Sequence, residues 1–391
     1  MIGGMCLLRI SSLTVLSCAA ALLCHVSTAT RSVDPTPRVE LLRVPEAGLQ
    51  PDVAVDADRR VHLIYFGGEP LHGDVFYTRL EPDGRFARAS RVNTQPGTVV
   101  ATGNVRGAHL AVAKGRVHVA WLGSDRARNG EVAPMLYTRS RPDGTFEPER
   151  NVHQNAGPID GGSVAADNQG HVYVAWHSET PGQKGEATRR AWMARSTDEG
   201  TTFAPEVAAS PASAGACGCC GTGMFADRRG TAYVLFRAAR ESAHRETVLL
   251  TSADSGSTFA SQVLQDWPIA ACPMSTYALS EGGGAVVAAW ETAGQIYWAS
   301  IDPSTRTAAT PIAAPGDANG RKHPSIARNE NGETLVAWTE GMGWSRGGSL
   351  AWQRFDRAGS PVGDIGRADG VPAWSLISAF VRPDGRFAII Y

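Results

Sequence analysis

The chain has 391 residues, among them 43 Gly and 23 Pro, and a formal net charge of −1. That near-neutral balance excludes the basic footprint of a nucleic-acid binder or of a protein held on an acidic membrane. Abundant Gly and Pro with only 19% charged residues suit short strands and tight turns.

Residues 1–29 read as a secretory signal. Arg9 is the only charge before the apolar run 10–26, and Ser27-Thr28-Ala29 supplies the small residues of a cleavage site. The run is too short and too quickly followed by polar sequence to span a bilayer, and no other run is long enough. A lipoprotein, acylated at Cys18 after Val15-Leu16-Ser17, is the alternative. Either way the expected destination is the bacterial periplasm or the extracellular space. The mature chain, 30–391, is expected to be one domain with four cysteines, Cys217, Cys219, Cys220 and Cys272, in a compartment where disulfides form.

The segment 38–44 reads as a lone strand. After it one pattern recurs seven times: an alternating strand, a polar turn, and a second strand ending in an aromatic. The copies run from Val53-Ala54-Val55 to Tyr65, Leu110-Ala111-Val112 to Trp121, Ser163-Val164-Ala165 to Trp176, and Gly223-Met224-Phe225 to Phe236. They continue from Tyr277-Ala278-Leu279 to Trp290, Ser325-Ile326-Ala327 to Trp338, and Ala379-Phe380-Val381 to Tyr391. The closing aromatics stand 56, 55, 60, 54, 48 and 53 residues apart, the period of a four-stranded propeller blade. Third strands such as 191–195 and 295–300 follow, and fourth strands such as 203–208. The seventh unit ends after two strands, so the N-terminal strand is expected to complete it and close the ring, removing exposed sheet edges. The fold is therefore an all-β propeller of seven blades, or six if one copy is not a blade.

Between third and fourth strands, Ser196-Thr197-Asp198-Glu199-Gly200-Thr201-Thr202-Phe203 and Ser252-Ala253-Asp254-Ser255-Gly256-Ser257-Thr258-Phe259 both spell S-x-D-x-G-x-T-F, the Asp box. Shortened versions occur at Pro82-Asp83-Gly84-Arg85-Phe86 and Pro142-Asp143-Gly144-Thr145-Phe146. The chain thus resembles the sialidase-like (Asp-box, or BNR-repeat) propellers over essentially all of its mature length. The box is a folding element, so it speaks to fold and not to chemistry.

In such a ring the loops entering each first strand and leaving each second strand share one face. They carry Arg106 and His109, Asp160, Cys217, Cys219 and Cys220, Cys272 and Met274, Arg321 and His323, with His177, Arg237, Glu291 and Glu340. The resemblance implies a glycan-active site in which three arginines grip a sugar carboxylate. Arg106, Arg237 and Arg321 are the candidates, with Asp160 as acid/base, Tyr277 as nucleophile and Glu291 or Glu340 as its partner. The family's Arg-Ile-Pro motif has no counterpart here. Activity would be hydrolase-like or lectin-like, on a glycan or another small molecule. Trp344, in a Gly-rich stretch, offers an aromatic face for a sugar.

The cysteines carry a second reading. Cys217 or Cys219 can bridge to Cys272, whereas a vicinal Cys219–Cys220 bond is strained. Alternatively the thiolates, with Met274, His109 and His323 on the same face, would hold copper or zinc, or take part in thiol redox chemistry. A scaffold that binds another protein is the third possibility.

Overall fold

The computed structural model describes residues 39–127, 132–154 and 157–391, so the candidate signal at 1–29 lies outside the described residues. Seven sheets are present, as the seven-fold repeat predicts. Six have four strands in simple sequential order and the seventh has three. The inner strands of blades 1 to 6 are Leu49–Val55, His109–Ala113, Ile159–Ala166, Gly223–Ala226, Ala278–Gly282 and Arg321–Arg328. Blade 7 consists of Ser378–Val381, Phe387–Ile390 and the N-terminal strand Glu40–Leu42. That last strand runs parallel to Phe387–Ile390, pairing Glu40 with Ala388 and Leu42 with Ile390. The described residues form one compact unit.

The hairpins between the first and second strands of blades 3 and 4 share one device. An Asp accepts from backbone N–H groups further round the turn: Asp167 from Gln169 and His171 at 2.9 Å each, and Asp227 from Arg229 at 3.0 Å and Thr231 at 2.8 Å. Asn and Asp favour this geometry because the side chain imitates a turn carbonyl. Gly170, at φ 97°, supplies the left-handed step in the first of these turns.

The aromatics that close the second strands are the mortar between blades. Trp121, Trp176, Trp290 and Trp338 are wholly buried. Trp121 packs with Ile64 and Phe66 of blade 1, and Trp338 with Val287 and Trp298 of blade 5. Apolar clusters fill all seven blade boundaries, and the one between blades 7 and 1 joins Phe380 and Ile390 to Leu63 and Tyr65. Replacing one such Trp by Ala removes roughly 3–5 kcal/mol.

The two S-x-D-x-G-x-T-F turns fold alike. Ser196 Oγ donates to Asp198 Oδ1 and accepts the Gly200 N–H, and Asp198 accepts Thr202 N–H at 2.8 Å. Ser252, Asp254, Gly256 and Thr258 repeat the set. Burial works against ionisation, yet these hydrogen bonds hold the Asp198 carboxyl down, to about 2. Hydrogen bonds from Thr258 and Ser252 put Asp254 lower still.

Candidate functional site

Inner strands bulge where they enter the ring. Register slips occur between Leu49 and Asp52, Asp160 and Ser163, and Lys322 and Ser325. Inside the slips Gln50, Gly161 and His323 adopt left-handed φ of 51°, 63° and 48°. Gly takes this conformation freely, whereas Gln and His pay of order 1–3 kcal/mol, a strain that concentrates at functional sites. The bulges turn the following residues inward onto an axial cavity of about 140 Å³ lined from all seven blades. Its polar lining includes Asp52, His109, Ser163, Thr276, His323 and Ser378. His109 Nδ1 lies 3.4 Å from Asp52, and His323 Nδ1 lies 3.4 Å from Thr276 Oγ1. Burial, with Lys322 nearby, lowers the His323 imidazole to about 3, so it is neutral.

A larger cleft of about 660 Å³ opens beside blade 6 on the same loop-rich face. Its walls include Asn319, Lys322, Glu340, Arg346, Ser349 and Asp369. Glu340 accepts from Trp338 Nε1 at 2.8 Å and lies 3.5 Å from both Arg321 and Arg367. Trp344, in the loop 341–347 that walls this cleft, is 61% exposed, and its ring edge lies against Gly103 of the segment that precedes blade 2.

The three candidate arginines are held by three separate sets of acceptors. Arg106 clasps Asp160 with contacts of 2.9, 3.0 and 3.1 Å. Arg237, wholly buried, donates to the Arg245 carbonyl at 2.9 Å and to the Glu291 carbonyl, with Trp267 and Tyr277 against its guanidinium. Arg321 donates to Gln295 at 2.8 Å and to the Pro315 carbonyl at 3.0 Å, stacked over Trp338. Tyr277 is buried in the cluster with Leu249 and Trp290, and burial raises its phenol well above the ordinary value. Glu291 is buried, bonded to Ser275 Oγ and to the Gly294 N–H. The candidate residues therefore gather as local pairs: Arg106 with Asp160, Arg237 with Glu291 and Tyr277, Arg321 with Glu340.

The cysteines do gather. Cys219 and Cys272 form a disulfide, which joins the segments preceding blades 4 and 5. Cys217 and Cys220 are buried free thiols. Cys217 Sγ stands 3.4 Å from Cys219 Sγ and 3.5 Å from Cys220 Sγ. With Cys219 and Cys272 joined, the two thiols remain as ligands for a soft ion. Sharing a proton with Cys220, together with burial, raises the Cys217 thiol. Burial works the same way on Cys220, but the hydrogen bond with Cys217, the Arg237 charge and the Ser275 N–H bring it down to about 7. His177 Nε2 donates to the Cys220 carbonyl at 2.8 Å, and its Nδ1 faces Arg189 at 3.4 Å. Burial lowers His177, which is consistent with the neutral form. Met274 follows with left-handed φ of 52°.

Glu186 is the residue that the sequence reading passed over. It accepts the Gly218 N–H at 2.7 Å and Arg245 Nη2 at 2.7 Å, so it frames the cysteine loop. Its place in a loop leaving a second strand was the available signal.

Neither a protein-family model nor a curated protein matches the chain. Solved structures do match. The Hadza microbial sialidase Hz136 superposes with a TM-score of 0.51 at 14% identity, over 80% of this chain and 69% of that one. The α-L-arabinanase of Penicillium chrysogenum, complexed with arabinobiose, gives 0.50 at 13%, over 78% and 94%. The GH93 α-L-arabinofuranosidase of Fusarium graminearum, also with arabinobiose, gives 0.50 at 13%, over 78% and 92%. The fold is that of the sialidase-like propellers. Among the described residues no helix is long and apolar enough to cross a membrane.

Proposed function

We propose that this propeller is an exported glycan-binding protein whose seat is the cleft beside blade 6. The observation that carries the reading is a cleft lined by polar side chains, one wall of which is the loop that carries the exposed Trp344. An indole face suits the C–H surface of a sugar ring, and convergent amide, carboxylate, hydroxyl and ammonium groups suit its hydroxyls. Two propellers of the same fold hold a disaccharide, arabinobiose, in their structures. The geometry favours recognition over hydrolysis. Asp160 is clasped by Arg106, and Glu340 stands between Arg321 and Arg367. Both carboxylates are thus already held in ion pairs within the fold, where a cleavage site needs an acid free to meet the glycosidic oxygen. Export, with 1–29 removed as a signal, agrees with a disulfide.

The test is titration of soluble oligosaccharides, neutral and sialylated, into the parent and Trp344→Ala, with fluorogenic glycosides assayed in parallel. The expected result is binding by the parent, at least ten-fold weaker in the variant at an unchanged melting temperature, and no turnover. Equal binding by both proteins, or no retained glycan, overturns the site. Turnover of a glycoside replaces binding with hydrolysis.

A further inference from the structure

The cysteine cluster lies on the segments preceding blades 4 and 5, and none of its members lines that cleft. Cys217-Gly218-Cys219-Cys220 contains a Cys-x-x-Cys pair, Cys217 and Cys220, the spacing used for thiol–disulfide chemistry. Both members are buried and reduced, while the neighbouring disulfide reaches solvent through the exposed Cys272. Cys219 carries no proton in its disulfide, so Cys217 is the donor in their 3.4 Å contact. A thiol is thus already seated against one sulfur of a disulfide, with a second thiol behind it at 3.5 Å. A purely structural staple needs neither.

We propose that the four cysteines form a thiol–disulfide exchange centre, in which the bond migrates inward from Cys219–Cys272 to Cys217–Cys220 and presents Cys272 as a free surface thiol. In the first step Cys217 gives up its proton to water and its Sγ attacks Cys219 Sγ. The Cys217–Cys219 bond forms, the Cys219–Cys272 bond breaks, and Cys272 leaves as a thiolate that takes a proton from water. In the second step Cys220, having released its proton, attacks Cys217 and expels Cys219, which is protonated. One disulfide and two thiols become one disulfide and two thiols, so no outside oxidant or reductant is consumed.

The surroundings support exchange over metal capture. The Arg237 guanidinium acts on Cys220 from a buried position, and a fixed cation there opposes a second one. Glu186 and His177 brace the loop through the Gly218 N–H and the Cys220 carbonyl, so the sulfurs can trade partners on a fixed backbone. The small thiol and disulfide substrates that fit are those able to reach Cys272, such as glutathione or an unfolded peptide thiol.

The test holds the folded protein in glutathione buffers of graded oxidised-to-reduced ratio, quenches with acid, alkylates free thiols, and maps disulfides by mass spectrometry. In the parent a population with Cys217 bonded to Cys219 or Cys220 and Cys272 alkylated is expected. Cys220→Ser should stop at Cys217–Cys219, enriching that species several-fold. Cys217→Ser should show only Cys219–Cys272 or full reduction. Circular dichroism checks that each variant is folded, and the parent decides alone where a variant is not. The proposal is overturned if the parent shows only Cys219–Cys272 and full reduction at every ratio. It is also overturned if the reduced parent holds stoichiometric zinc or copper that shields all four thiols from alkylation.

Discussion

Arg106 crosses the boundary between blades 2 and 3 to clasp Asp160 through both Nε and Nη2. The Asp160 side chain is 9% exposed and the Arg106 side chain 38%, so water screens only the arginine end. Arg106→Ala leaves a nearly buried carboxylate without its partner and should cost about 1–3 kcal/mol, read as a lower urea midpoint. Adding Asp160→Asn should recover part of the loss, since the pair is coupled. Strict additivity of the two changes would show that they do not act together.

Acid should weaken the ring through two buried histidines. His118 and His323 are lowered to about 3, chiefly by burial, with Arg139 and Arg116 acting on His118 and Lys322 on His323. Their unfolded values lie near 6.5. Below that pH the unfolded chain takes up protons that the native state refuses until about pH 3. Stability therefore falls as pH falls across this window, by up to about 1.4 kcal/mol per pH unit for each histidine. His118→Gln, which keeps an acceptor for the Tyr137 hydroxyl, should flatten the slope measured between pH 6.5 and 5. An unchanged slope refutes the assignment.

The turn aspartates act in the same direction over a lower pH range. Asp198 and Asp254 are held low, so their contribution is present above the unfolded carboxyl value and is lost as pH falls, for Asp198 through about 2. Asp254→Ala strips the acceptors for Thr258 and Ser252 from an exposed turn, at a cost of about 1–2 kcal/mol at pH 7. Thermal melts at pH 7 and in strong acid should show the difference from the parent shrinking as Asp254 becomes protonated.

The two ends of the disulfide should differ in their response to mutation. Cys272→Ser removes the one cysteine of the segment between blades 4 and 5 and should cost about 2–4 kcal/mol under oxidising conditions. Cys219→Ser should cost less. Cys217 Sγ and Cys272 Sγ lie within 4.8 Å of each other, so a replacement bridge is in reach. Peptide mapping without reductant checks the new bond, and equal losses in the two variants contradict it.

The repeat was legible because packing imposes it. Each blade boundary needs a large apolar side chain at one register position, and Trp121, Trp176, Trp290 and Trp338 occupy that position. The convergence of the four cysteines followed from loop order. Which of them pairs was not legible, since Cys217 and Cys219 share one loop and only the path fixed by Glu186 and Gly221 sets Cys219 opposite Cys272. The fate of Arg237 was hidden for another reason: its acceptors are main-chain carbonyls of Arg245 and Glu291, which no side-chain pattern reveals. The left-handed turns at Gln50 and His323 were likewise invisible, because neither residue type signals positive φ.

The parallel strand Glu40–Leu42 ties the beginning of the ring to Phe387–Ile390, and the backbones of Leu42, Val44 and Tyr391 extend that seam. Ribosomal synthesis runs from the N-terminus, so the first-made of the described strands waits unpaired until the last-made of them appears. Each earlier blade can find its predecessor at once, but the seam closes across the greatest separation among the described strand pairs. Until then two raw sheet edges stand open to other chains. Joining the termini and recutting between two other blades would move the seam without changing the ring. Such a circular permutant would show whether the late clasp governs the yield of folded protein.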